Sequence, residues 1–166
     1  MTVSAPPARR VGVVAAVAAL AVAIDQLTKS WAVRTLADRD IDLVWTLRLH
    51  LEHNSGSAFS LNQGRGGLVA VGALVLVAVV LWVGHTTSTT IGAVAVGLVL
   101  GGALGNVVDR LLCEGTGSFL GGSVIDFIDP QWWPVFNVAD ISITFGAILL
   151  FAGSFLAEDA KETDPS

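Results

Sequence analysis

Long apolar runs separated by short polar segments are the main pattern of this sequence. The first uncharged run, Val11–Ile24, continues through Asp25 to Leu36 and is then long enough for a membrane-spanning helix, which needs about 20 residues. Three further runs follow, and a polar turn that begins at His85 separates the second from the third. The pattern predicts a membrane all-α bundle of four transmembrane helices, over about residues 11–36, 68–84, 91–112 and 135–157.

The segment between the first two predicted helices has a different period. From Ile41 to Leu51 every second residue is apolar, and the positions between them are mostly polar. This alternation predicts a β-strand, and a strand with open edges is not stable in hydrocarbon. We therefore expect a small extracytoplasmic β-region over about residues 40–62. In it, the strand lies on the membrane surface and pairs with 58–61 through a turn at 54–57.

The second segment on the same side, about residues 113–135, is rich in glycine and contains Pro130. It is predicted to be a mobile loop or a short helix on the outer face. Trp132 and Trp133 suit the headgroup level, which indole rings prefer. Residues 1–157 are expected to form a single domain, and the acidic residues 158–166 a disordered tail.

Basic residues at the N-terminus give an orientation. Arg9 and Arg10 precede the first apolar run, and such residues stay in the cytoplasm. Four spans then place both termini in the cytoplasm and residues 37–66 and 113–135 outside. The alternative is a cleavable signal peptide, since two arginines, an apolar core and small residues at Ala21 and Ala23 also fit that pattern. Cleavage there would leave three spans.

The composition supports the membrane interpretation. Hydrophobic residues make up 53% of the chain and charged residues 14%, against about a quarter charged in soluble domains. The mean hydropathy is +0.71, and no Asp, Glu, Lys or Arg lies between Arg65 and Asp109. The net charge is −5 without a basic patch, so nucleic acid is not an expected partner. The single Cys113 has no internal disulfide partner and is interpreted as a small apolar residue.

Polar residues within the predicted spans occur at helical spacing. Asp25 and Lys29 share a face of the first helix, and Asp109 and Arg110 lie together on the third. Charges at this depth usually pair, so Asp25 is expected to bind Lys29, and Asp109 to bind Arg110 or another neighbour. Glycines recur every four residues on the third helix, where we expect them to serve helix packing. They are Gly97, Gly101 and Gly105.

Two aspartates are different, because neither has a Lys or Arg within four residues. Asp126 ends the outer loop and Asp140 begins the last apolar run, so both belong near the outer membrane boundary. Two such carboxyl groups at one depth can share a proton, since like charges in a dry site do not both ionise easily. One then takes a proton from water, and the other hydrogen-bonds to a substrate carbonyl. Asp129, before Pro130, is interpreted as a solvated loop residue.

Five short stretches, taken together, resemble lipoprotein signal peptidase, the bacterial membrane aspartyl protease also called signal peptidase II. They occur in that family's order over about residues 11–157, and Leu111–Ser123 is longer and richer in glycine than is usual there. The stretches are Asp25-Gln-Leu-Thr-Lys29, Asn54-Ser-Gly-Ser-Ala-Phe-Ser60, Gly105-Asn-Val-Val-Asp-Arg110, Val124-Ile-Asp-Phe-Ile128 and Phe136-Asn-Val-Ala-Asp140.

The resemblance implies an endopeptidase of the bacterial cytoplasmic membrane that cleaves diacylglyceryl-modified prolipoproteins before the lipidated cysteine. It implies Asp126 and Asp140 as the catalytic pair, no metal or cofactor, a monomer in contact with membrane lipid, and inhibition by the cyclic peptide globomycin. Positions that would support the site or bind substrate are Asn54, Gly56, Asn106, Arg110, Asn137 and Ala139. Positions expected to be structural are Asp25, Lys29 and Asp109.

A proton- or ion-coupled transporter is the alternative class, since intramembrane carboxylates often relay protons or bind ions. It predicts acidic residues spread through the membrane depth and helices broken at mid-span. The central parts of the second and fourth apolar runs carry no charge. Zinc and serine intramembrane proteases are not indicated, because the chain has neither His-Glu-x-x-His nor Gly-x-Ser-Gly.

Overall fold

The computed structural model describes residues 7–55, 89–113, 120 and 122–162. Three helices and three strands lie within this part of the chain. The predicted span over 68–84 and the strand over 58–61 lie outside it. So does Gly56. The elements are α1 (Pro7–Thr35), β1 (Ile41–Val44), β2 (Leu47–Asn54), α2 (Thr90–Leu112), β3 (Val124–Asp129) and α3 (Val138–Glu162).

The helices have the length and apolar character of a membrane protein. Within the described residues, Arg10–Thr35 and Thr90–Leu112 are each long and apolar enough to cross a membrane, and Val138–Gly153 is a shorter apolar helix. Helix α1 continues without a break through Ala21 and Ala23, where the signal-peptide alternative required cleavage. Helix α3 continues to Glu162, and so includes the first five residues of the segment that was expected to be disordered.

Small residues let α2 pack closely against α1. A Cβ atom added at Gly97 would lie 2.7 Å from the Cβ of Val17, and one added at Gly101 would lie 2.7 Å from the Cβ of Ala21. Real Cβ atoms do not approach so closely, so the two backbones are in contact there. The predicted packing role of these glycines is confirmed. The third glycine, Gly105, brings α2 against the side chain of Asp25 on α1.

Gly105→Ala is expected to lower the stability of the helix bundle by about 1–3 kcal/mol. A Cβ atom at this position would lie 2.5 Å from Oδ2 and 3.1 Å from Cγ of Asp25, and the carboxylate would have to leave its partners. The measurement is thermal unfolding in detergent. The matched control is Gly12→Ala, because Gly12 is an exposed helical glycine with nothing within 4 Å of an added Cβ. An equal melting temperature for the two variants would contradict this packing argument.

The three strands form one antiparallel sheet in the order β1-β2-β3. The predicted strand from Ile41 is therefore interrupted. Trp45 has a φ of 57°, and the chain turns there so that β1 and β2 form a hairpin with each other. Left-handed backbone at a bulky residue is rare and costs energy, and alternation alone does not reveal such a turn.

Strand β3 lies in the segment that was predicted to be a loop. Its sequence, Val-Ile-Asp-Phe-Ile-Asp, does not alternate between apolar and polar residues. Four of its six residues are buried, and they lie on both faces of the strand. A strand covered on both faces loses the alternation of apolar and polar residues. The prediction of a loop over the whole of 113–135 was therefore wrong for Val124–Asp129.

The sheet packs on the C-terminal end of α1. Phe127 of β3 joins Ala32 of α1 and Leu36, which directly follows α1, in a buried cluster, and its ring meets Trp31 edge-on at a centroid distance of 6.5 Å. Backbone bonds between Ile128 and Phe136 then connect β3 to the segment that leads into α3. This packing places β3, the end of α2 and the start of α3 side by side.

Candidate active site

Two carboxylates meet where α3 begins. The side-chain nitrogen Nδ2 of Asn137 donates to Oδ1 of Asp126 at 2.6 Å, and the backbone N–H of Asn137 donates to Oδ2 of Asp140 at 3.1 Å. One asparagine therefore holds Asp126 on β3 and Asp140 on α3 at the same place. The structure brings together the two aspartates that the sequence singled out.

Local sequence explains how Asn137 and Asp140 are fixed. Asn137 directly precedes α3, and its carbonyl accepts the first helical bond, from Ile141 at 3.3 Å. Its side-chain Oδ1 accepts from the backbone N–H of Asp140 at 3.1 Å, while Asp140 accepts from the backbone N–H of Asn137. This reciprocal pair of bonds is a capping box. It satisfies two N–H groups at the helix end and orients both side chains.

Each carboxylate also accepts a second amide. Asn54, the last residue of β2, donates to Oδ2 of Asp126 at 3.0 Å. Asn106 of α2 donates to Oδ1 of Asp140 at 3.0 Å. Three of the predicted supporting residues, Asn54, Asn106 and Asn137, therefore hydrogen-bond directly to an aspartate.

The two aspartates differ in environment. Asp126 is 3% exposed, whereas Asp140 is half-buried and lies in the first turn of α3. Burial raises the pKa of Asp126 to about 6; the amides of Asn54 and Asn137 lower it in part, and the nearby charge of Asp140 raises it. A buried carboxyl group beside a second acid is favoured in its neutral form, so Asp126 keeps its proton up to about pH 6, well above the range of an ordinary aspartate.

A buried ion cluster lies next to this pair. Nζ of Lys29 is 2.8 Å from Oδ2 of Asp25 and 2.7 Å from Oδ2 of Asp109, and all three side chains are at most 2% exposed. The predicted Asp25–Lys29 pair is confirmed. The partner of Asp109 is Lys29 on the neighbouring helix rather than the adjacent Arg110, because consecutive helical residues point in different directions.

Asp25 also anchors the start of α3. Its Oδ1 accepts the backbone N–H of Ala139 at 2.9 Å, which is one of the N–H groups that a helix N-terminus leaves without a helical partner. Ala139 is fully buried, and its contribution is therefore made through the backbone. Gln26 was not singled out from the sequence, although it lies within the Asp25–Lys29 stretch. Its Nε2 donates to Oδ1 of Asp109 at 2.8 Å.

Arg110 lies next to Asp109 on α2, but it binds a different part of the chain. Its Nη1 donates to the carbonyl of Gly122 at 3.2 Å, and its own carbonyl accepts the N–H of Gly122 at 3.2 Å. A Cβ atom at Gly122 would lie 2.5 Å from the carbonyl oxygen of Cys113. Arg110 thus joins the end of α2 to the segment that enters β3.

Asp129 is not a solvated loop residue. It is 5% exposed at the end of β3, and its Oδ2 is 2.6 Å from Nε of Arg48 on β2. Its Oδ1 accepts the N–H of Gln131 at 2.7 Å. Burial opposes ionisation, but the Arg48 guanidinium and the Gln131 N–H outweigh it and hold the pKa of Asp129 below its usual range. The earlier interpretation failed because Arg48 is distant in sequence.

Asp129→Asn is expected to weaken the sheet and to leave Asp126 and Asp140 in place. The substitution removes the charge that pairs β3 with β2, and no described contact joins Asp129 to Asp126 or Asp140. Because the folded pKa is lowered, the stabilisation is present above the ordinary carboxyl pKa and is lost as pH falls through the lowered value. Melting temperatures at pH 7 and pH 3 test this, since the difference between wild type and variant should shrink at the lower pH.

Metal ligation is not indicated by the described residues. No three His, Cys, Asp or Glu side chains among them are grouped closely enough to hold a metal ion. The carboxylates of the ion cluster already surround Lys29, and those of Asp126 and Asp140 accept amide hydrogens.

This chain is similar to known proteins along most of its length. A family model described as signal peptidase (SPase) II matches residues 17–156. The lipoprotein signal peptidase of Mycolicibacterium smegmatis is 40% identical over 93% of this chain, and the chain spans 66% of that protein's length. The lipoprotein signal peptidase of Mycobacterium avium is 39% identical over 92% of this chain and 84% of its own length.

Two solved structures have the same fold. One bacterial membrane enzyme, determined by the in meso method, superposes with a TM-score of 0.69 at 25% identity, over 92% of this chain and 96% of its own. A second gives a TM-score of 0.71 at 24% identity, over 100% and 98%. The family model covers most of the chain and these relatives match along nearly all of it, so the transporter alternative is set aside. The chain belongs to the signal peptidase II family of membrane aspartic peptidases.

Proposed function

We propose that this protein removes the signal peptide from prolipoproteins whose cysteine carries a diacylglyceryl group, and that it cuts the peptide bond just before that cysteine. The observation that carries the proposal is the bonding of Asn137 to both Asp126 and Asp140. Two carboxyl groups fixed by one side chain are suited to activate a single water molecule. Family membership supplies the substrate class, since relatives are named lipoprotein signal peptidase.

The proposed setting is the outer face of the bacterial cytoplasmic membrane. Four spans, with residues 68–84 as the second, leave both termini in the cytoplasm. The site lies at the end of the bundle that carries the sheet. Near this end Trp132 and Trp133 are 75% and 62% exposed, as befits indoles at the headgroup level. A signal peptide is itself a membrane helix, so its cleavage site reaches this boundary while the diacylglyceryl chains stay in lipid.

We base the proposed roles of the two acids on their environments. Asp126, which is buried and has a pKa raised to about 6, holds the proton and donates a hydrogen bond to the scissile carbonyl oxygen. Asp140, which accepts N–H donors from Asn106 and Asn137, takes the proton of water.

The reaction then balances without a cofactor. Water loses a proton to Asp140 as its oxygen bonds to the scissile carbon, and the carbonyl oxygen takes the proton from Asp126. The resulting diol is neutral. It collapses when Asp140 returns a proton to the leaving nitrogen and Asp126 recovers a proton from a hydroxyl group. The products are the signal peptide acid and a free amino group on the lipidated cysteine.

Purified protein in lipid bilayers should cleave a synthetic peptide that carries a diacylglyceryl cysteine, and mass spectrometry should place the cut before that residue. The matched control is the same peptide with an unmodified cysteine, which should be cut far more slowly. Globomycin should inhibit the cleavage. The proposal is wrong if the lipidated peptide stays intact, or if both peptides are cut at equal rates.

The pH dependence of kcat/KM is expected to be bell-shaped, with an alkaline limb centred at about pH 6. Asp126 must be protonated to act, so activity falls as pH rises through this value, by about tenfold per pH unit. The apparent pKa read from this limb describes the two interacting carboxyl groups together. Bound substrate displaces water from Asp126, so the limb of kcat should lie at higher pH than that of kcat/KM.

Asn54→Ala provides the control for this assignment. The amide of Asn54 hydrogen-bonds to Asp126 and lowers its pKa, so its removal should move the alkaline limb to higher pH. Asp129→Asn, on the same strand, should leave the limb where it is. A limb that does not move in Asn54→Ala would exclude Asp126 as the group that titrates there.

A further inference from the structure

The ion cluster beside the two aspartates is connected to them through one amide. Nζ of Lys29 donates to Oδ1 of Asn106 at 2.9 Å, in addition to its contacts with Asp25 and Asp109. An ammonium group has three N–H bonds, and these three partners use all of them. Lys29 is only 1% exposed, so it is held in one position.

This contact decides which end of the Asn106 amide faces the reacting groups. Its Oδ1 accepts from Lys29 and also from Nδ2 of Asn137, at 3.0 Å. Its Nδ2 is then left to donate to Asp140. A reversed amide would place its NH₂ group against two other donors, and its oxygen against the carboxylate of Asp140. Each of these contacts is repulsive, and buried polar groups without partners are costly.

We infer that Lys29 is a positioning residue for the reaction: by fixing the amide of Asn106, it keeps an N–H donor on the carboxylate of Asp140. The inference rests on the proposed function, in which Asp140 accepts the proton of water. The path crosses the three helices of the described residues, from Lys29 on α1 through Asn106 on α2 to Asp140 on α3. The charge of Lys29 thereby acts on Asp140 without touching it.

Lys29 cannot be removed alone without leaving two buried carboxylates, so the test uses a pair of variants. Asp109→Asn weakens the ion cluster but keeps Lys29 on Asn106. Lys29→Met/Asp109→Asn removes one positive and one negative charge together and breaks the contact with Asn106. We expect kcat for the lipidated peptide to be about 10- to 100-fold lower in the double variant than in Asp109→Asn, with KM little changed.

A spectroscopic measurement separates positioning from general damage to the fold. The chain has four asparagines, Asn54, Asn62, Asn106 and Asn137, so the side-chain amides of protein labelled with ¹⁵N-asparagine give few NMR signals. The amide introduced at position 109 appears in both variants. The Asn106 signals should shift, and their protons should exchange faster, in the double variant only. This measurement needs no substrate, so it remains valid if the wild-type protein fails to cut the lipopeptide.

The proposal is overturned if the double variant and Asp109→Asn have the same kcat, whether or not the amide signals move. Asn106→Asp gives a second test if the double variant does not fold. That substitution keeps an oxygen toward Lys29 but replaces the donor toward Asp140 with another oxygen, so kcat should fall by a similar factor. Wild-type kcat in Asn106→Asp would equally reject the role of the amide.

Discussion

Asp126→Asn and Asp140→Asn are each expected to lower kcat for lipopeptide cleavage by about a thousandfold. Without Asp140 no described group at the site is placed to take the proton of water, and without Asp126 the carbonyl oxygen loses its proton donor. Both variants should insert in the membrane and fold. The measurement is turnover of the diacylglyceryl peptide by purified protein, together with a thermal unfolding curve for each variant.

The expectation that both variants fold comes from their hydrogen bonds. Asp126 accepts two amide donors, from Asn54 and Asn137, and an asparagine in its place keeps one of the two oxygens. The lost bond costs about 1–3 kcal/mol, and the neutral amide is close in shape to the protonated carboxyl group that it replaces. Loss of activity accompanied by a small change in melting temperature would therefore report chemistry rather than unfolding.

Asp129→Asn is the matched control for this pair. Asp129 lies three positions after Asp126 on β3 and is also buried. Its carboxylate, however, binds Arg48 on the neighbouring strand β2. The same change of carboxylate to amide should leave kcat within about threefold of wild type. Full activity in either Asp126→Asn or Asp140→Asn would reject the two-aspartate mechanism.

Asn137→Ala is expected to have the second-largest effect, with kcat lowered by about a hundredfold and stability by about 1–2 kcal/mol. The substitution removes the donor to Asp126, the bond to Asn106 and the side-chain acceptor that caps α3. The distance between the two carboxylates is then no longer fixed. Steady-state kinetics and thermal unfolding, measured on the same preparation, give both quantities.

Asn54→Ala is the comparison for Asn137→Ala. Asn54 binds Asp126 at a similar distance, but it lies at the end of a strand and has no described contact with Asp140. Its loss should therefore shift the pH profile more than it lowers the maximum rate. If Asn137→Ala keeps kcat within about twofold of wild type, the bridge between the aspartates is not needed for catalysis.

Several features of the fold could be predicted from local sequence. Runs of apolar residues predicted the helices over residues 11–36, 91–112 and 135–157 to within a few residues, because a helix in lipid is apolar over its whole length. The spacing of Asp25 and Lys29 predicted their ion pair, since both lie on one face of the same helix. The absence of a nearby cation distinguished Asp126 and Asp140.

Features that depend on contacts between distant segments were missed. Strand β3 lacks the alternation of apolar and polar residues because both its faces are covered. It was identified only by its pairing with β2 in the structure. Asp129 was interpreted as solvated because Arg48 lies 81 positions away. The bond of Lys29 to Asn106, which spans 77 positions, was not predicted either. No local pattern encodes such pairs.

The sequence by itself determined the apolar helices, the two candidate aspartates and the family, because periodicity and short motifs depend on neighbouring residues alone. Only the tertiary structure decided which polar atoms meet. Asn54 and Asp126 are 72 positions apart, and Ala139 and Asp25 are 114 apart. The physical reason is that a buried donor needs an acceptor within about 3 Å, and packing of the helices against the sheet chooses that acceptor from the whole chain.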